Sequence, residues 1–121
     1  MHLVQDRFTL DAIAADTGTQ VLVLGGMVAM TESRTLESRV IDGIRAGRTR
    51  VVIDFTDVAA TGPGLLGALL RIRRGVTGVD GRLALVVNGP PVSELVATSL
   101  LARLIHVTAD RGHAIEYVRD R

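Results

Sequence analysis

The segment Val51–Arg74, VVIDFTDVAATGPGLLGALLRIRR, constrains the fold more than any other part of the chain. Val51, Val52, Ile53 and Phe55 make an apolar run of the kind a buried strand requires, and Leu65, Leu66, Leu69, Leu70 and Ile72 then recur at helical spacing. Gly62-Pro63-Gly64 joins the two, so a turn stands where a strand end meets a helix N-terminus. Turns in that place often carry chemistry. These three residues offer no hydroxyl, carboxylate or imidazole, and the expectation is recognition through shape and backbone rather than catalysis.

The remaining elements fall into an alternating order. Phe8, Leu10, Ala12 and Ala14 alternate with differently facing residues, Asp16-Thr17-Gly18 supplies turn chemistry, and Val21–Leu24 completes an opening hairpin. Thr31 is placed to cap a helix carrying Leu36, Val40, Ile41 and Ile44, and Gly47 to end it. After the strand Val51–Phe55 and the helix Leu65–Arg74 come a buried strand at Leu83–Val87 and, past Pro90-Pro91, a third helix over Val92–Leu101. Ile105–Val107 reads as a short last strand and Ala109–Val118 as a last helix. The order β-β-α-β-α-β-α-β-α predicts an α/β fold, one domain over residues 1–121 with its core at about 7–118. Helical crossovers imply a mixed, mostly parallel sheet of about four to five strands packed by about four helices. A chain of 121 residues, 47% hydrophobic, suffices for one core.

Composition closes several function classes. A formal charge of +1 recruits neither nucleic acid nor a membrane surface, and two Phe with one Tyr make no base-stacking platform. Arg71, Arg73 and Arg74 read as a solvated helix end. The absence of cysteine removes disulfides and thiolate chemistry and fits a reducing cytoplasm. No secretion signal is legible in MHLVQDRFTL, and Val21–Met30, the longest apolar stretch, is half of what a helix needs to span a bilayer, so no membrane insertion is expected.

Catalytic patterns are equally sparse. His2, His106 and His113 have no metal-ligand spacing, and no metal or cofactor is expected. Ser33, Ser38, Ser93 and Ser99 lack a nucleophile elbow, and Asp54 and Asp57 read as turn residues bonding their own backbone. Gly62-Pro63-Gly64 lacks the Lys and Ser/Thr of a phosphate loop, leaving nucleotide binding a minor alternative.

With the order of elements in place, the chain resembles the STAS domain family of bacterial anti-sigma factor antagonists over nearly its whole length. Family members carry a strand ending in Asp-Leu, then Asp-Ser-Ser-Gly-Leu-Gly opening a helix of the kind ALLRLRR. Here Asp54-Phe55 begins the match and Leu66-Gly67-Ala68-Leu69-Leu70-Arg71-Ile72-Arg73-Arg74 continues it. Gly81–Val86 and Leu100–Ile105 resemble the family's fourth strand and final-strand segment.

The departures fall on the family's switch. Counted without gaps from Asp54, the serine phosphorylated in typical antagonists is Pro63; with a one-residue gap it is Gly62, and Thr61 takes the place of the aspartate. The acidic residue of the family's Gly-Glu-Leu-Asp falls on Ala29. The resemblance therefore implies a non-enzymatic regulatory protein that binds a kinase-like anti-sigma factor, or another STAS protein, without the usual phosphorylation switch. Its expected docking surface is Ala29, Met30 and the turn Gly62, Pro63, Gly64, Leu65 and Leu66, with Thr61 an alternative phosphoacceptor. Alternatives are an accessory subunit of a signalling scaffold or transport complex, and a homodimer.

Overall fold

The computed structural model describes residues 7–120. Five strands form one sheet in the order β1-β2-β3-β4-β5, comprising β1 (Thr9–Asp16), β2 (Thr19–Val28), β3 (Arg50–Thr61), β4 (Arg82–Val86) and β5 (His106–Thr108). β1 and β2 pair antiparallel, and every later neighbour is parallel. Five helices connect them, α1 (Met30–Arg45), α2 (Leu65–Thr77), α3 (Val92–Thr98), α4 (Leu101–Leu104) and α5 (Arg111–Arg119). The expected α/β architecture with a mostly parallel sheet is the one observed.

Strand alternation decides which helices lie on which face. Val51, Ile53, Phe55, Leu83 and Leu85 point into a large cluster with Leu36 and Val40 of α1, Leu65, Leu69, Ile72 and Val76 of α2, Val92 and Leu101. Val21, Val52, Ala84 and Val86 point the other way, onto Ala114 and Val118 of α5. Four helices thus cover one face and α5 alone the other. The larger core is made of buried side chains, all aliphatic but Phe55, each contributing about 1.5–3 kcal/mol on leaving water.

Gln20 is the polar exception within this packing. Its amide nitrogen donates to the carbonyls of Val40 at 3.2 Å and Arg48 at 3.0 Å, fixing the end of α1 to β2. The space it occupies exists because Gly43 has no side chain, since a Cβ there would collide with the Gln20 amide. Gly47, at φ +93°, closes α1 as expected.

Several boundaries differ from expectation. Ala29, not Thr31, precedes the first turn of α1, and Thr31 is exposed inside the helix with its carbonyl accepting from the Thr35 hydroxyl at 3.2 Å. β3 runs on to Thr61 because two register shifts against β2, at Val23/Gly25 and Gly26/Met27, let it continue past Phe55. The expected helix over Val92–Leu101 is two, since Ser99 is extended (φ −124°, ψ −177°) and its hydroxyl accepts from the Leu101 amide at 3.3 Å. The last helix starts later than Ala109, where the Asp110 carboxylate accepts from the amides of Gly112 at 2.6 Å and His113 at 3.4 Å. His2 lies outside the described residues.

Candidate functional site

The carboxyl ends of β2 and β3 lie side by side; β2 passes through Ala29 into α1, and β3 through Gly62-Pro63-Gly64 into α2. Val28 pairs with Thr61 at the last rung, so Ala29-Met30 and Gly62-Pro63-Gly64 emerge next to one another. The Gly62 amide donates to the Val28 carbonyl at 2.9 Å and holds the turn against that strand end. A Cβ at Gly62 would meet Ala29 Cα at 3.3 Å, and one at Gly64 would meet Met30 Cγ at 3.4 Å. The sequence-derived docking residues are therefore assembled at one end of the sheet, with one exception.

Leu65 corrects that set. It is 1% exposed, in the core with Leu69 and Ile72, whereas Leu66 is 37% exposed. The cause is the start of the helix. Pro63 does not initiate α2 and Gly62 does not cap it; Gly64 is the N-cap, at φ +101° and ψ −20°, a left-handed conformation that favours glycine. Its carbonyl accepts from the Ala68 amide at 3.0 Å. Leu65 is then the first helical residue and points inward, and Leu66, about 100° further round, points out. Met30, Pro63 and Leu66 are exposed, and Ala29 and Gly62 are half-buried beside them.

The two helix starts differ in electrostatics. In α1 the Glu32 carboxylate accepts from the Ala29 amide at 3.2 Å and lies at the positive end of the helix dipole. The first turn of α2 holds no acidic residue. Thr61 is half-buried at the end of β3. Ser33, below the site in α1, is 1% exposed, and its hydroxyl has no hydrogen-bond partner among the described residues. A buried hydroxyl without a partner costs free energy, so Ser33→Ala is expected to leave stability unchanged or raise it by about 0.5–1 kcal/mol in urea unfolding. A loss above about 1 kcal/mol would show that the hydroxyl is satisfied in solution.

A polar cluster that sequence reading missed lies where the middle of β3 meets the carboxyl ends of β4 and β5. Asp54, read as a turn residue, is inside β3 and 2% exposed, facing α5. One carboxylate oxygen accepts from the Thr56 amide at 2.9 Å and hydroxyl at 2.5 Å, and the other from Arg111 Nε at 2.8 Å. Asn88 Nδ2 donates to Thr56 Oγ1 and to the Ala109 carbonyl, both at 3.2 Å. Burial works to raise the Asp54 pKa, but the Thr56 bonds and the Arg111 guanidinium outweigh it and hold the carboxyl below its ordinary value. The signal available in sequence was parity, because Asp54 alternates with Ile53 and Phe55 and so faces the side α5 covers. Asp57 is exposed and takes no part in the cluster.

The other residues singled out from sequence do not converge. His106 stacks on Tyr117 with ring centroids 3.8 Å apart, and Arg82 lies 4.2 Å from the centroid of the same tyrosine ring. His113 lies 3.6 Å from the Asp110 carboxylate. Among the described residues no group of three His, Cys, Asp or Glu is placed to hold a metal ion, and no helix is long and apolar enough to cross a membrane.

No protein-family model matches the sequence, and no curated protein does. Solved structures do match. An anti-sigma factor antagonist from Mycobacterium paratuberculosis superposes with a TM-score of 0.83 at 22% identity, covering 95% of this chain and 97% of that one. The chain has the fold of the anti-sigma factor antagonists. The antagonist SpoIIAA in its unphosphorylated form gives a TM-score of 0.74 at 18% identity, over 93% of this chain and all of SpoIIAA. The murine anion transporter Slc26a9 contains the same fold, with a TM-score of 0.71 at 11% identity over 98% of this chain and 24% of the transporter. In the antagonist fold described here, the turn that opens α2 is Gly62-Pro63-Gly64.

Proposed function

We propose that this protein is a non-enzymatic, cytoplasmic STAS regulator that binds a kinase-like anti-sigma factor through the β3–α2 turn, without a phosphorylation switch there. The observation that carries the reading is an exposed apolar knob, Met30, Pro63 and Leu66, seated on the ends of β2 and β3 with no hydroxyl among its exposed side chains. SpoIIAA has been solved both unphosphorylated and phosphorylated. A phosphate would add a charge of about −1.5 to −2 at the start of α2, where the helix dipole favours it. Proline and glycine accept no phosphate, so partner binding here is constitutive and its control lies in abundance or in a second protein.

The reading is tested by calorimetric titration of the host's kinase-like anti-sigma factors, with and without ATP. Binding is expected to be the same in both conditions, and Leu66→Asp, which alters an exposed position, is expected to weaken it at least about tenfold while the melting curve is retained. No complex at about 50 µM of either protein overturns the reading. Phosphate found on Thr61 after incubation with kinase and ATP would restore a switch at the neighbouring hydroxyl. A second reading, an accessory subunit of a transport complex, is favoured by the occurrence of this fold inside the Slc26a9 chain. Recovery of transport subunits by wild type but not by Leu66→Asp would select it.

A further inference from the structure

From Leu66 of the knob, an unpartnered surface continues along α2 onto α4. Leu66 and Leu70 are one helical turn apart on the outside of α2 and are each 37% exposed. Arg73, one turn further along that stripe, donates from Nε to the Leu104 carbonyl at 2.9 Å, which brings α4 alongside. Leu100 and Leu104, also spaced by four, are 64% and 41% exposed. Four large aliphatic side chains, three on α2 and α4 and Leu100 at the N-cap of α4, therefore stand partly in water on the face of the sheet opposite α5.

The charges that α2 and α4 themselves carry have one sign. α2 and α4 together contain Arg71, Arg73, Arg74 and Arg103 and no Asp or Glu. Arg71 is taken by Glu37 of α1, at 3.0 Å, and Arg73 by the Leu104 carbonyl. The guanidinium groups of Arg74 and Arg103 take part in no ion pair or hydrogen bond among the described residues. The positive end of the α2 dipole adds to the same sign at the turn.

We propose that the α2–α4 face docks an acidic amphipathic helix of a protein partner. Its leucines seat on Leu66, Leu70, Leu100 and Leu104, and its carboxylates meet Arg74 and Arg103. The apolar spacing on α2 matches the i, i+4 anchors of a helix lying alongside, and the arginines select against a basic helix. The proposal rests on the protein-binding reading above and specifies the chemistry of the bound segment.

The test is an NMR titration of the labelled protein with two synthetic helical peptides, one of Leu/Glu heptads and one of Leu/Lys heptads, and with phosphatidylserine-containing vesicles. The expected result is saturable shifts of residues 66–74 and 100–104 with the Leu/Glu peptide alone. Leu70→Ser with Leu104→Ser is expected to weaken that binding at least about tenfold. Arg74→Glu with Arg103→Glu is expected to transfer preference to the Leu/Lys peptide. All four positions are at the surface, and a melting curve confirms that the variants fold. Absence of saturable shifts, shifts confined to α5, equal response to both peptides, or response to vesicles alone overturns the proposal. Capture of an anti-sigma factor without a peptide response overturns only the α2–α4 assignment. A peptide response without an anti-sigma partner supports the docking face and removes the partner named for the turn.

Discussion

Gly81→Ala is expected to destabilise the protein by about 3 kcal/mol and to lower its melting temperature by about 10 °C. Gly81 lies between the end of α2 and the start of β4, and its amide donates to the Val76 carbonyl at 2.8 Å. A Cβ there would be driven into the Thr49 carbonyl oxygen and would lie 3.0 Å from Val76 Cγ1. The obstacle is backbone, so no rotamer change relieves it. The same Thr49 carbonyl accepts from the Arg82 amide at 3.2 Å, and Arg50 and Arg82 form the first rung of the β3–β4 pair. Relief of the clash must therefore disturb the entry of two central strands. Gly75→Ala is the control: it sits in α2 with nothing within 4 Å of its added Cβ, and should stabilise by about 0.5–1 kcal/mol. Urea unfolding of both variants decides the matter, and a cost below about 1 kcal/mol for Gly81→Ala would refute the packing described.

Asp54→Ala is the second large effect, expected at about 2–3 kcal/mol at neutral pH. The substitution removes the acceptor that Thr56 and Arg111 share, and with it the polar tie between β3 and the start of α5. Arg111 is 43% exposed at its side chain and can rehydrate, which keeps the cost below that of a wholly buried pair. The pH dependence follows from the depressed pKa of Asp54 in the folded protein. The unfolded chain takes up the proton first as pH falls, at about 3.9, so this stabilisation is complete above that value. It is lost as pH falls through the lower folded pKa. The gap between wild type and Asp54→Ala should thus be constant from about pH 7 to 5 and narrow below about 4. A gap that widened on acidification would mean that Asp54 is protonated in the native state.

The strand-turn-helix at Val51–Arg74 was legible because apolar runs and helical spacing are properties of a short window. The convergence of Ala29 and Met30 with the turn was legible only through family resemblance, since the β2–β3 pairing that joins them spans distant parts of the chain. Leu65 shows where the reading failed. Its neighbour Leu66 has the same chemistry, and only the left-handed conformation of Gly64 decides which of them starts the helix facing inward. Asp54 failed for a related reason, because an Asp near a strand end, with Asp57 three residues on, carries a turn propensity that the longer β3 overrides. The division of Val92–Leu101 into two helices depends on Ser99 leaving the helical region, and no Gly or Pro marks that place.

The strand order, identical to chain order, bears on how the protein is made. As the chain leaves a ribosome, each new strand finds its partner already present on the sheet's growing edge. β1 and β2 can close as a hairpin, and β3, β4 and β5 then add one at a time, each after the helical segment that precedes it. After β1, no strand must wait for its first mate to be translated. The interval during which an open edge could recruit a foreign strand is correspondingly short, an advantage that folds with interleaved strand orders lack during synthesis.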